Sequence, residues 1–278
     1  MGKVYDALKR AEEQRGAARP PTAASSRSRA WEAAAEPPRA GFFRRWFRRR
    51  RGQPTPSLVS ELSKRRIALL QPDSFVAEQF RTLRARIDAI STERPLRTVA
   101  ITSSVPGEGK TTAAINLAYV TSMGVDRRVL LIDCDLRGAK VGRALGLSPE
   151  LGLAEVLLGN ATLKEAVVRV EGTQLDVLCV RTQPDNPSEL LAAPAMRELL
   201  REAAEHYDTV VLDTPPTLSL PDAKTVSELV DGLVVVVRAG STRRDDVEAT
   251  LDVLDRRRLL GMVLNGADVE TARYQYSG

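Results

Sequence analysis

Six short runs of apolar, mostly β-branched residues set the terms on which this 278-residue chain can fold: "RTVAITS" (97–103), "RVLLIDC" (128–134), "LDVLCV" (175–180), "DTVVLD" (208–213), "GLVVVVR" (232–238) and "LGMVLN" (260–265). None alternates polar with apolar residues, so each is expected to be a strand buried on both faces. Helix-like segments lie between them, near 109–124, 187–205, 221–230 and 242–257. Strand and helix in turn predict an α/β domain, a doubly wound and mainly parallel sheet with helices on both faces. In such a sheet a ligand sits beyond the carboxyl ends of the strands.

Three of those ends are chemically loaded. The first strand runs into "SSVPGEGKTT" (103–112), which reads as the phosphate-binding loop of a P-loop NTPase-type fold. Ser104, Gly107 and Gly109 leave backbone amides free to wrap phosphates, Lys110 can reach the outer ones, and the Thr111 hydroxyl suits Mg²⁺. The helix that follows adds its N-terminal dipole. The expected nucleotide-binding set is Ser104, Pro106, Gly107, Glu108, Gly109, Lys110, Thr111 and Thr112. A strict loop of this kind has glycine at position 104, and this chain has serine. The second strand ends in "LLIDCDLRG", with Asp133 and Asp135 two apart. If the strand continues through them, both carboxylates project the same way and both can face a metal. The third end is "YDTVVLDTPP", where Asp213 precedes two prolines that forbid a helix. Phosphate-loop enzymes hold Mg²⁺ through an aspartate so placed.

Composition removes other chemistries. Cys134 and Cys179 lie far apart in apolar runs, which implies no disulfide framework and a reducing compartment. With one histidine, His206, zinc-thiolate sites and histidine-based catalysis are set aside. No signal peptide and no apolar run of membrane-spanning length is apparent, so a cytoplasmic location is expected. The net charge of +5 hides two opposite parts: residues 1–66 hold 17 Lys and Arg against 6 Asp and Glu, and the remainder 24 against 30. The basicity belongs to an arm, so no nucleic-acid partner is expected. That arm, residues 1–60, reads as a short amphipathic helix with Val4, Leu8 and Ala11 at helical spacing, then a largely disordered linker. Within it "GFFRRWFRRRR" (41–51) mixes four aromatics with six arginines, a composition suited to an anionic leaflet. Residues 61–265 form the expected catalytic domain and 266–278 a flexible tail.

The three motifs "TSSVPGEGKTT", "VLLIDCDLRG" and "YDTVVLDTPP" together resemble those of the bacterial tyrosine kinases, the autokinases associated with capsule and exopolysaccharide export. "EQFRTLR" (78–84) resembles the same family's subunit-contact motif. The resemblance implies that Lys110 and Thr111 bind ATP and Mg²⁺, that Asp135 and Asp213 organise the metal, and that Asp133 is the base toward a tyrosine hydroxyl. Arg137 either supports that loop or makes a surface ion pair. Glu78, Arg81 and Arg84 are then contacts within a homo-oligomeric ring, and Tyr274 and Tyr276 the phosphoacceptors. The resemblance further implies a separate membrane-embedded polysaccharide co-polymerase, or chain-length adaptor, and a peripheral position at the inner face of the cell membrane. Two departures from the family stand out: its tail usually carries a dense tyrosine cluster, and some members carry the membrane part in the same polypeptide. Two other readings remain open at this point. One is a partitioning or positioning ATPase of the same broad fold, although Ser104-Val105-Pro106 stands where those proteins place a second lysine. The other is a non-catalytic, nucleotide-responsive regulator of the export complex.

Overall fold

The computed structural model describes residues 71–267, which lie within the second of two compact units, Gln53–Gly278. The expected amphipathic helix, the basic arm and the tail tyrosines Tyr274 and Tyr276 fall outside the described residues.

The first described element is helix α1 (Phe75–Glu93), capped by the Ser74 hydroxyl, which accepts from Ala77 N at 3.2 Å. Strand β1 (Thr98–Ser103) follows, buried along its whole length, and then α2 (Lys110–Ser122). Strand β2 (Val129–Asp133) leads to three short helices, α3 (Val141–Leu145), α4 (Leu153–Leu157) and α5 (Leu163–Ala166). A three-residue strand β3 (Val167–Arg169) turns back into β4 (Leu175–Leu178). Helices α6 (Pro187–Ala192) and α7 (Pro194–His206) carry the chain to β5 (Thr209–Asp213). Helix α8 (Asp222–Ser227), β6 (Gly232–Arg238), α9 (Arg244–Val253) and β7 (Leu259–Asn265) complete the order.

The seven strands lie in the order β3-β4-β2-β5-β1-β6-β7. Every pairing is parallel except β3 with β4. All six sequence-expected strands are present, but β7 lies at the sheet edge and is not buried on both faces: its Met262 and Leu264 are exposed. β3 was not among the six: it is a short, half-exposed edge piece with no apolar run to announce it. The expected helix at 187–205 is two helices. Pro194 lacks the amide that would continue the first, and Ala193 takes an extended ψ of 151°.

Both faces of the sheet are covered. On one, Val99, Ile101, Leu131, Val211 and Val234 pack under α2, with α1 over it. This explains why α2 is buried nearly all round. On the other, Ala100, Leu130, Ile132, Leu212 and Val235 pack against Leu191, Met196, Leu199, Leu200 and Ala203. In α7 the spacing 196, 199, 200, 203 makes one apolar stripe. Truncating a fully buried side chain such as Leu131 to alanine is expected to cost about 2–5 kcal/mol.

β1 lies between β5 and β6, and the segments leaving β1 and β5 pass to opposite faces of the sheet. That divergence opens a crevice at their carboxyl ends, the place where an open α/β sheet binds its ligand.

Candidate active site

The loop after β1 is shaped by two glycines in the left-handed region, Gly107 (φ 90°) and Gly109 (φ 99°). Gly109 is also pinned sterically. A Cβ there would lie 2.1 Å from Asn265 Nδ2. The loop is held from the ends of β6 and β7: Asn265 Nδ2 donates to Glu108 O at 2.8 Å and Arg238 Nη1 donates to Gly107 O at 3.0 Å. The Glu108 carboxylate is buried and turned inward, accepting from Val105 N at 2.8 Å and from the Thr242 hydroxyl. Of the expected nucleotide set, Glu108 therefore braces the loop with its side chain, while Pro106 and Gly107 form its exposed crest. Sequence reasoning missed Arg238, Thr242 and Asn265. The rule that singled out Asp213, a polar residue closing an apolar strand, also describes Asn265.

The chain leaving β5 completes the floor. With Pro215 and Pro216 barring a helix, it runs on beside β1, Thr217 N donating to Ser103 O at 2.8 Å and Leu218 N to Ser104 O at 3.2 Å. The Thr102 hydroxyl donates to Pro215 O at 3.0 Å.

Lys110 opens α2, is 5% exposed, and reaches into this floor. Its Nζ is 2.9 Å from Asp135 Oδ2 and 3.8 Å from Asp213 Oδ1. Burial alone would lower its pKa, but the negative charges of Asp213, Asp135 and Asp133 outweigh that and hold it above the usual lysine value.

Asp133 and Asp135 do not act alike. β2 stops at Asp133, so the condition for parallel projection fails. Asp133 accepts from two amides of its own loop, Asp135 N at 3.1 Å and Val141 N at 3.0 Å. Asp135 lies in the turn beyond. One of its oxygens accepts from Gly138 N at 2.9 Å and the other from Lys110. Gly138 leaves room for it, since a Cβ would lie 2.6 Å from the Asp135 carboxylate. The same turn holds Ala139 at φ 44°, a strained value for a residue with a side chain.

Desolvation dominates the acids. Asp133 is fully buried, and burial, followed by the neighbouring charge of Asp213, pushes its pKa up to about 8. Asp213 is also raised by burial, with the Lys110 ammonium and the Thr111 hydroxyl partly offsetting the rise. Even so, neither Asp213 oxygen completes a hydrogen bond, and the buried Ser104 hydroxyl likewise has no partner. A buried polar atom left unpaired costs about 1–3 kcal/mol. Such atoms beside a lysine and two left-handed glycines fit a site completed by a phosphate chain and its cation.

The donor set suits Mg²⁺, which takes hydroxyl and carboxylate oxygens and keeps substrate phosphates as further ligands. Among the described residues no group of three or more His, Cys, Asp or Glu forms a metal cage.

Outside this floor, the exposed Arg137 pairs with the buried Asp222 and with Ser188. The expected subunit-contact residues divide. Glu78 and Arg81 pair with each other on the exposed side of α1. Arg84 turns inward, its Nη1 donating to Val120 O at 2.8 Å near the end of α2. It also borders a cleft of about 370 Å³ between α1 and the amino ends of the strands, away from the phosphate loop.

Comparison with known proteins places this geometry. Residues 96–252 match the AAA domain family. The tyrosine-protein kinase YwqD of Bacillus subtilis is 39% identical over 222 residues, covering 79% of this chain and 93% of that protein. The tyrosine-protein kinase etk of Escherichia coli K12 is 33% identical over 213 residues, 76% of this chain but only 29% of that longer protein. The solved kinase domain of the Escherichia coli enzyme superposes with a TM-score of 0.69 at 33% identity, covering 72% of this chain and 79% of the domain. By its three strand-end motifs, its sheet and these relatives, the chain belongs to the bacterial tyrosine-protein kinases, on a P-loop nucleotide-binding AAA domain.

Proposed function

We propose that this chain is a non-specific protein-tyrosine autokinase that uses Mg–ATP and regulates exopolysaccharide or capsule polymerisation and export with a separate membrane-embedded co-polymerase. The observation that carries the chemistry is the pairing of Asp133 with Asp213 beside Lys110 in a buried floor free of histidine. Phosphoryl transfer requires alignment and charge neutralisation more than covalent chemistry from the protein. Lys110, freed from Asp135 by an incoming phosphate chain, neutralises the outer phosphates. Thr111, Asp135 and Asp213 would hold magnesium, which would supply further charge neutralisation at the phosphates. Asp133 is the base. With its pKa near 8 it is poised to take the proton of a tyrosine hydroxyl as that oxygen accepts the γ-phosphoryl group and ADP departs.

The first acceptors are Tyr274 and Tyr276, supplied by an adjoining subunit of a ring. Eleven residues lead from Gly266 to Tyr276, about 35 Å when extended, enough to reach a neighbour's floor. Mixing a Lys110→Met protein that keeps its tail with an active protein lacking both tyrosines tests this. Phosphotyrosine on the inactive partner's tail is the expected result. ATP hydrolysis without phosphotyrosine would favour a switch ATPase, and nucleotide binding without turnover a non-catalytic regulator.

Residues 41–51 supply a contact with the anionic inner leaflet, through arginines worth roughly 1 kcal/mol each near the surface. Flotation with anionic liposomes should be lost on deleting them, and equal flotation after deletion would remove that role. Among the described residues no helix is long and apolar enough to cross a membrane.

A further inference from the structure

Asp222 begins α8 and is 2% exposed, although it is an acid outside the catalytic floor. Its two oxygens are engaged by residues from two other loops. Arg137 Nε approaches Oδ2 at 3.4 Å, and the Ser188 hydroxyl donates to Oδ1. The triangle is closed by Arg137 Nη2, which donates to Ser188 Oγ at 3.0 Å. Arg137 comes from the turn after β2, Ser188 from the start of α6 after β4, and Asp222 from the start of α8 after β5. β4, β2 and β5 are consecutive in the sheet. One buried carboxylate thus ties together the three segments that wall the site on that side.

The turn so anchored is the one that carries the reacting acids. Arg137 lies between Asp135 and Gly138, and Gly138 N and Ala139 N both donate to Asp135 O, at 2.9 and 2.8 Å. Ala139 is held at φ 44°, and Val141 N completes the turn on Asp133 Oδ2. A strained backbone value persists only where its surroundings over-determine it. Three contacts tie this turn to its surroundings: Cys134 N on Asp213 O at 2.8 Å and Lys110 on Asp135 at its start, and the Asp222–Arg137 link at its middle, beside Gly138 and Ala139.

We infer that Asp222, with Ser188, is a positioning residue for phosphoryl transfer: it fixes Arg137 and so holds the 133–141 turn with Asp133 and Asp135 in register with Lys110 and Asp213. The inference rests on the kinase reading for its kinetic consequence, but not for its structural one.

Two measurements on the full chain test it. Asp222→Asn keeps the shape and a partner for Ser188 while removing the charge that holds Arg137. By hydrogen exchange, the amides of Gly138, Ala139 and Val141 should exchange at least tenfold faster in this variant, with those of β1 and α2 unchanged. This readout does not depend on kinase activity, so it separates failure of the inference from failure of the functional reading. In transfer to a tyrosine peptide, Asp222→Asn and Arg137→Ala should each lower kcat about tenfold while leaving nucleotide affinity within twofold. The double variant should be no worse than either alone. Unchanged exchange in the turn overturns the inference. So does a parallel loss of nucleotide affinity and transfer, or losses that multiply in the double variant.

Discussion

Asp133 and Asp213 stand opposite each other in register at the carboxyl ends of β2 and β5, both wholly buried. Parallel neighbours in register project to the same face, so two carboxylates share one desolvated floor, with the Lys110 ammonium 3.8 Å from Asp213. Two adjacent acids in such a place do not both ionise readily. Burial and then the charge of Asp213 raise the pKa of Asp133, whereas Asp213 is raised by burial and by Asp135 and held back by the Lys110 ammonium.

For stability the sign follows from Asp133, raised from an ordinary 3.8 to about 8. Its contribution is fully present below about pH 4 and is lost as pH rises through 8, because burial then forces a charge into the floor. Asp133→Asn removes the titration. The melting temperature of the variant relative to the parent should therefore climb steadily from pH 5 to pH 8.5. A pH-independent difference would show that Asp133 titrates normally. In the parent, kcat/KM for a tyrosine peptide should rise with pH, reaching half its maximum near 8 and levelling only above it, and Asp133→Asn should suppress transfer while sparing ATP binding.

Lys110→Met removes the cation that Asp135 and Asp213 share. Breaking a buried pair from one side costs roughly 3–5 kcal/mol, so the variant should fold but melt roughly 10 °C lower. Nucleotide affinity should fall at least a hundredfold, and phosphotransfer should vanish. Calorimetry and phosphotyrosine blotting check both, and normal phosphorylation by this variant would remove the site assignment. Melting unchanged from the parent would mean that Lys110 does not hold the carboxylates.

The two arginines of α1 should separate in function. Arg84→Ala strips a partner from the Val120 carbonyl near the end of α2, a loss of about 1–3 kcal/mol, and should lower the melting temperature by several degrees. Arg81→Ala breaks only an exposed pair with Glu78, worth under about 1 kcal/mol, and should leave melting unchanged. If α1 contacts a neighbouring subunit through Glu78 and Arg81, Arg81→Ala alone should reduce the mass measured by light scattering. A mass unaffected by Arg81→Ala would take that residue out of the contact.

How much the sequence determined follows from range. Strands β1, β2, β4, β5 and β6 were legible because a strand covered on both faces leaves an unbroken apolar run; β7 carries a similar run although Met262 and Leu264 are exposed on this edge strand. The phosphate loop was legible because Gly107, Gly109 and Lys110 act within a few residues of one another. β3 left no such trace, being three residues at a half-exposed edge. Tertiary structure decided the rest. Whether Asp133 and Asp135 face together depends on where β2 stops, and it stops at Asp133, leaving one acid on its own amides and the other on Lys110. The raised pKa of Asp133 comes first from burial under the packed sheet and then from its register with Asp213, 80 residues on. Asn265 and Thr242 brace the loop from well over 100 residues away, and Asp222 reaches Arg137 from 85. Such contacts leave no local period to read, because only the packed sheet brings those strand ends together.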